Sequence, residues 1–231
     1  MKSYLRISFT AIALTLFFSA FAVTETKAQN ILPEILKRME THRNTLTSLR
    51  SNVTMVKFNT QLKESDKTEG TSIYLPAKGR DALVRIDWTK PAQEILSVVK
   101  GKYVLYRPRL NQAIVGNAKD AKGSGKANGA LSFMNMSKEQ LKSNYIIKYL
   151  GQENVSSGSP TWHLELTPKT AVSYKLAEIW VDGDGMPIQA KIIENNNDST
   201  TVLLFGFEKN ARIDASRFNV KLPKGTTIVK G

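Results

Sequence analysis

From Val53 to Phe207 the chain is a succession of short runs in which apolar and polar residues alternate, each closed by turn residues. No other feature limits the fold as strongly. An alternation of period two puts successive side chains on opposite faces of a strand. The runs "VTMVKFNTQL", "GTSIYL", "LVRIDW", "EILSVV", "KYVLYRP", "QAIVG", "YIIKYLG", "TWHLELT", "LAEIWVD", "PIQAKII" and "TVLLFGF" are therefore expected as strands, in that order. Between them, "ESDKTEG", "VKGK" around Gly101, "DGDG" at 182–185 and "NNND" at 195–198 predict turns joining antiparallel neighbours. A meander of about eleven strands cannot stay flat, because strand twist curls it into a barrel or half-barrel.

The alternation also assigns faces. In "RIDWTKP" and its preceding residue, Val84, Ile86 and Trp88 oppose Arg85 and Asp87, and in "TWHLELT" Trp162, Leu164 and Leu166 oppose His163 and Glu165. The charged residues of "RIDWTKP" thus belong to the wet side of a wall or to its edge. The concave apolar face needs a cover, and two helices are available. One is amphipathic over residues 31–49, with Leu32, Ile35, Leu36, Met39, Leu46 and Leu49 at helical spacing. The other is short and starts at a capping box, Ser137 with Gln140.

A Gly- and Lys-rich stretch at 117–129, "NAKDAKGSGKANG", precedes that second helix and leads into "LSFMNM". Leu131, Phe133, Met134 and Met136 read as core, as a mobile lid beside a flexible hinge, or as both. Lys119, Lys122 and Lys126 read as a solvated loop or, alternatively, as a docking contact.

The N-terminus is different in kind. Lys2 and Arg6 precede an uncharged apolar run at residues 7–23, followed by small residues, as in a secretory signal peptide. Cleavage can follow Ala22 or Ala28; Ala28 is preferred because a helix begins just beyond it. An uncleaved anchor is the alternative, although the run is short of the ~20 residues a spanning helix needs. The expected organisation is a signal peptide, residues 1–28, and one globular domain, residues 29–231, in keeping with 41% hydrophobic and 23% charged residues.

The chain has no cysteine, which excludes disulfides, thiolate chemistry and a lipid-modified cysteine anchor. Removing residues 1–28 takes away Lys2, Arg6, Lys27 and Glu25, so the formal charge changes from +13 to +11. An exported protein this basic meets anionic surfaces, whereas export argues against nucleic acid as a partner.

Catalytic signatures are lacking. His42 and His163 stand apart from ligand-spaced partners and are expected to be exposed or singly hydrogen-bonded. No GxSxG elbow occurs; "KGSGKA" fails as a phosphate loop because Lys126 is followed by Ala127, and "DGDG" lacks the remainder of a calcium loop. Neither an enzyme nor a cofactor or metal site is expected. The pattern is that of a binding protein.

Taken in order, "RIDWTKP", "GKYVLYRPRLNQA", "WHLELTPK" and "FNVKLPKGTTIV" resemble the LolA-like outer-membrane lipoprotein carriers, with Arg85, Trp88, Pro91, Gly101, Lys102, Tyr106, Pro108 and Gln112 at the matching positions. The resemblance covers residues 31–229. It implies a mainly β, α+β fold: an incomplete antiparallel β-barrel of about eleven strands, with an N-terminal helix and a short helical lid over an apolar cavity. It further implies a periplasmic, monomeric carrier that takes acylated lipoproteins from an inner-membrane ABC-type transporter toward the outer membrane, in some lineages to a dedicated receptor.

For such a hollow, the expected lining is Phe58, Ile73, Val84, Ile86, Trp88, Val104, Tyr106, Phe133, Met134, Met136, Leu164 and Leu166. Arg80, Arg85, Arg107 and Arg109 are the candidates for a lid latch or docking contact. Where the family often has an Arg-Pro pair, this chain has Leu75 and Pro76, so a latch must come from another arginine such as Arg80 or Arg85. The alternatives are a carrier of another lipid and a periplasmic lipid- or lipoprotein-sensing regulatory module on the same fold. Relatives of the latter kind carry an additional C-terminal domain, for which residues after the last strand leave no room.

Overall fold

The computed structural model describes residues 25–76, 82–118, 129 and 131–231, with side chains from residue 31 onward. The expected signal run, Arg80 and most of the Lys- and Gly-rich loop lie outside the described residues; the preferred cleavage point after Ala28 falls within the first helix.

That helix, α1 (Glu25–Thr45), is followed by β1 (Leu49–Asn59), β2 (Glu64–Leu75), β3 (Leu83–Lys90), β4 (Glu94–Val99), β5 (Lys102–Arg107) and β6 (Gln112–Asn117). After a 3-10 turn, Ser132–Asn135, come α2 (Lys138–Asn144), β7 (Tyr145–Asn154), β8 (Pro160–Pro168), β9 (Tyr174–Val181), β10 (Pro187–Glu194) and β11 (Ser199–Lys209). A second 3-10 turn, Ala215–Phe218, precedes β12 (Thr227–Lys230). All twelve strands form one sheet in the order β12, β6, β5, β4, β3, β2, β1, β11, β10, β9, β8, β7. The sheet is open: β12 and β7 are its two edges, and the pairing of β1 with β11 joins the two halves.

Turn chemistry sets much of this meander. Lys100 and Gly101 both take positive φ between β4 and β5, the tight hairpin that "VKGK" announces. In "DGDG" the Asp182 carboxylate accepts from the Asp184 and Met186 backbone N–H groups at 3.0 and 2.8 Å. Gly185, at φ +89°, lies so close to α1 that a β-carbon there would sit 2.3 Å from the Arg38 carbonyl, so this hairpin supports the helix.

Three expectations need correction. "ESDKTEG" is not a turn: the chain reverses earlier, where the Asn59 side chain accepts the Gln61 and Leu62 N–H groups, and β2 already begins at Glu64. That end of the hairpin is wet, so its charges pair across and along strands, as Lys67 with Glu69 at 2.7 Å. Helix α1 stops at Thr45 rather than 49, and Leu49 opens β1. The expected meander of about eleven strands is present, and among the described residues a twelfth, β12, adds in parallel to β6, pairing Thr227 with Gln112 and Lys230 with Val115. The histidines are also misjudged. His42 is buried with no partner for Nε2, and burial holds its imidazole below the usual value. His163 lies between Glu178, at 3.1 Å, and Glu153, at 3.5 Å, and stacks on Trp180.

Candidate functional site

Cross-strand register builds the interior. Leu49, Tyr74, Val84, Val98 and Tyr103 lie opposite one another across β1 to β5, and Ile86, Leu96, Leu105 and Ile114 form the next row. Both rows belong to one apolar cluster, which continues through Leu164 and Leu166 on β8 and Ile179 on β9. Trp88 stands in it 2% exposed, opposite the side-chain-free Gly70, and its indole N–H has no acceptor. Two serines, Ser51 and Ser72, share the face and satisfy each other at 2.7 Å. A surface this continuous offers apolar area and few hydrogen-bonding groups.

Two pieces cover it. From α1 come Ile35, Leu36 and Met39, and from the 3-10 turn before α2 come Leu131, Phe133 and Met134, all buried in the cluster; Met136 packs beside them. Phe133 meets the Tyr145 ring with centroids 6.0 Å apart. The capping box forms in both directions: Gln140 N–H donates to Ser137 Oγ at 3.1 Å, and Ser137 N–H to Gln140 Oε1 at 2.8 Å. Hydrogen bonds also tie this cover to the rest of the fold, among them two from Lys169 to the Lys142 and Asn144 carbonyls. Lys138 N–H donates to the Glu40 carboxylate at 2.9 Å, and the Tyr74 hydroxyl meets Asn135 at 3.4 Å. Burial pushes the Tyr74 phenol up, so it is a neutral donor.

Where Leu131 and Met134 meet Pro187, Ile188, Ala190, Val202 and Leu204, a cavity of only about 10 Å³ remains. That is below the ~300–1,000 Å³ of a ligand pocket. Among the described residues, these side chains fill the interior at this point.

The proposed lining divides by face. Val84, Ile86, Trp88, Phe133, Met134, Leu164 and Leu166 are in the cluster, and Met136 lies against it. Ile73, Val104 and Tyr106 are not: they alternate with Tyr74, Tyr103 and Leu105 and lie on the outer face, as does Phe58 by register with Val56 and Thr54. Mere apolarity misplaces them. Ile73 and Tyr106 are nevertheless shielded, on a face that the sequence leaves without an evident cover.

The cover on the β3 and β4 side of that face is the segment after β11. Its turn Ala215–Phe218 packs on β3 and β4, with Phe218 1% exposed and its carbonyl accepting from Ser97 Oγ. Arg85 grips the same segment: Nε and Nη2 bind Asp87 at 3.0 and 2.8 Å, while Nη1 donates to the Arg217 carbonyl at 2.8 Å. Arg85 therefore secures an outer strap, and is not placed at the lid. Arg107 pairs with Glu94 at 3.0 Å, and Arg109 is exposed in the turn Pro108–Leu110. Sequence reasoning missed the roles of Glu40 and Phe218, the latter hinted at only by the motif "FNVKLPKGTTIV", and placed Gly70 at a strand start without its close approach to β3.

The chain matches the family described as outer membrane lipoprotein carrier protein LolA over residues 49–221. The chain belongs to the LolA family. Solved structures are similar to this chain at low identity. An uncharacterised conserved protein from Thermus thermophilus is 14% identical with a TM-score of 0.54, over 87% of this chain and 99% of that one. MucB is 13% identical with a TM-score of 0.53, over 86% of this chain and 64% of MucB. A LolA superfamily protein from Nitrosomonas europaea is 15% identical with a TM-score of 0.42, over 81% and 97% of the two chains. No curated protein sequence matches the chain significantly. As in the LolA family generally, the architecture is that of a carrier or binder, a mostly β open barrel with few helices.

Proposed function

We propose that this protein is a periplasmic carrier that encloses the acyl chains of lipoproteins in its apolar interior and moves them from the inner to the outer membrane. The observation that carries the reading is the continuous apolar interior covered by the Leu131, Phe133 and Met134 segment, whose contacts with that interior are mainly apolar. The energetics are compatible with exchange. Withdrawing three such side chains costs roughly 5–8 kcal/mol, and about ten methylenes at ~0.8 kcal/mol each compensate for it. The unpartnered Trp88 N–H offers a donor to an ester carbonyl at the buried end of such a cargo. Loading by an inner-membrane ABC-type transporter, and delivery to an outer-membrane receptor where one exists, belong to the same proposal.

Mass spectrometry of what co-purifies with the protein from its native periplasm tests it. Triacylated lipoproteins are expected. Free glycerophospholipid alone supports the carrier of another lipid, and a stoichiometric protein without lipid supports the regulatory module. In vitro, Met134→Asp with Met136→Asp is expected to abolish binding of a fluorescent fatty acid while circular dichroism remains that of a β protein. Unchanged affinity removes these residues from the lining.

A further inference from the structure

The outer strap is charged as well as structural. Residues 209–231 contain six Lys or Arg and a single acid, Asp214, whose carboxylate is already taken by the Ser216 N–H at 2.8 Å. Lys209 is paired with Asp184 at 3.1 Å. Arg212, Arg217, Lys221, Lys224 and Lys230 are exposed, and none reaches a carboxylate among the described residues. Cations left without anions on one segment are a surface for an anionic partner.

A second observation identifies what kind. Among the described residues eight large hydrophobic side chains are exposed, and two of them lie together beside these cations: Leu110 at 65% and Ile228 at 55%. Asn111 brings them together, because its side-chain amide donates to the Gly225 carbonyl at 3.1 Å and its backbone carbonyl accepts the Thr227 N–H at 2.9 Å. Arg109 and Lys224 flank the same corner. Isolated aliphatics ringed by long cationic side chains suit a membrane interface, where ammonium groups reach head groups while the aliphatics enter the acyl boundary.

We propose that the strap, with the turn at Arg109 and Leu110, docks this protein on an anionic lipid bilayer surface. The inference goes beyond the carrier reading and stands whatever the interior holds. Strand β12 is one of the two edges bordering the open side of the sheet, so docking there turns that side toward lipid.

Co-sedimentation with vesicles tests it. The purified protein is expected to bind phosphatidylcholine vesicles containing about 30% phosphatidylglycerol and not phosphatidylcholine alone, with affinity falling as salt rises. Lys221→Gln, Lys224→Gln and Lys230→Gln together should weaken binding about 100-fold. Lys37→Gln, Lys142→Gln and Lys148→Gln remove the same charge from α1, α2 and the opposite edge strand, and should leave affinity within about twofold. Leu110→Ser with Ile228→Ser should weaken binding about tenfold. Thermal melts exclude unfolding of each variant. Equal losses in the two lysine triplets, equal binding to both vesicle types, no vesicle binding, or full affinity without the aliphatics would each overturn the proposal.

Discussion

Gly70 and Asp87 face each other across the seam of β2 and β3 so closely that a β-carbon on Gly70 would lie 2.3 Å from the Asp87 carbonyl oxygen. The register shifts there, between Glu69 and Gly70, and Trp88 turns into the interior opposite the glycine. The atom in the way is backbone, so it cannot swing aside. Gly70→Ala is expected to lower stability by about 1–3 kcal/mol, with a Tm fall of roughly 2–10 °C. Calorimetry checks this, and intrinsic tryptophan emission should shift as Trp88 is displaced. A Tm equal to wild type would show that the seam has slack.

Arg85 binds Asp87 and the Arg217 carbonyl at once, an arrangement that a point charge cannot reproduce. Arg85→Ala is expected to cost about 1–2 kcal/mol and to loosen the strap selectively. Trypsin should then cut after Arg212 and Arg217 well before it attacks the sheet. Arg85→Lys should protect only in part. If both variants are cleaved at the wild-type rate, Phe218 alone holds the strap.

Glu40 links the lid to α1 through the Lys138 N–H, and its carboxyl is held below the ordinary value of 4.5, chiefly by its hydrogen bond with Arg43 on the same helix and further by the Lys138 N–H, the part that closure supplies. A carboxylate whose value is depressed in the closed form adds to closure above its open-form value, and that contribution is lost as pH falls through the closed-form value. Amide exchange across residues 131–144 is therefore expected to lose protection below about pH 4.5 in the wild-type protein, relative to Glu40→Gln at the same pH. Glu40→Gln should be less protected at neutral pH and lack this step. Parallel pH profiles for the two proteins would detach Glu40 from the lid.

Local chemistry was legible wherever residues a few positions apart act on one another. The Ser137 and Gln140 capping box, the "DGDG" hairpin and the burial of Val84, Ile86 and Trp88 follow from spacing alone. Reading failed where burial gives no signal, as in the wet end of the β1 and β2 hairpin and in four-residue β12, whose side chains are all exposed. It failed again where two faces are both apolar: Val104 resembles Leu105 in composition, and only register separates them.

By itself the sequence determined the meander, its turns, the inward face of most strands and the resemblance to lipoprotein carriers, because period and turn preference are properties of neighbouring residues. Only the tertiary structure decided that residues 132 positions apart, Arg85 and Arg217, would meet, that Phe218 would cover the outer face, and that β12 would close on β6. Such pairings depend on how the sheet twists and where its edges fall, and no short stretch of chain encodes that. The charged stretch "RIDWTKP" accordingly has two duties: its tryptophan lines the interior and its arginine fastens the strap.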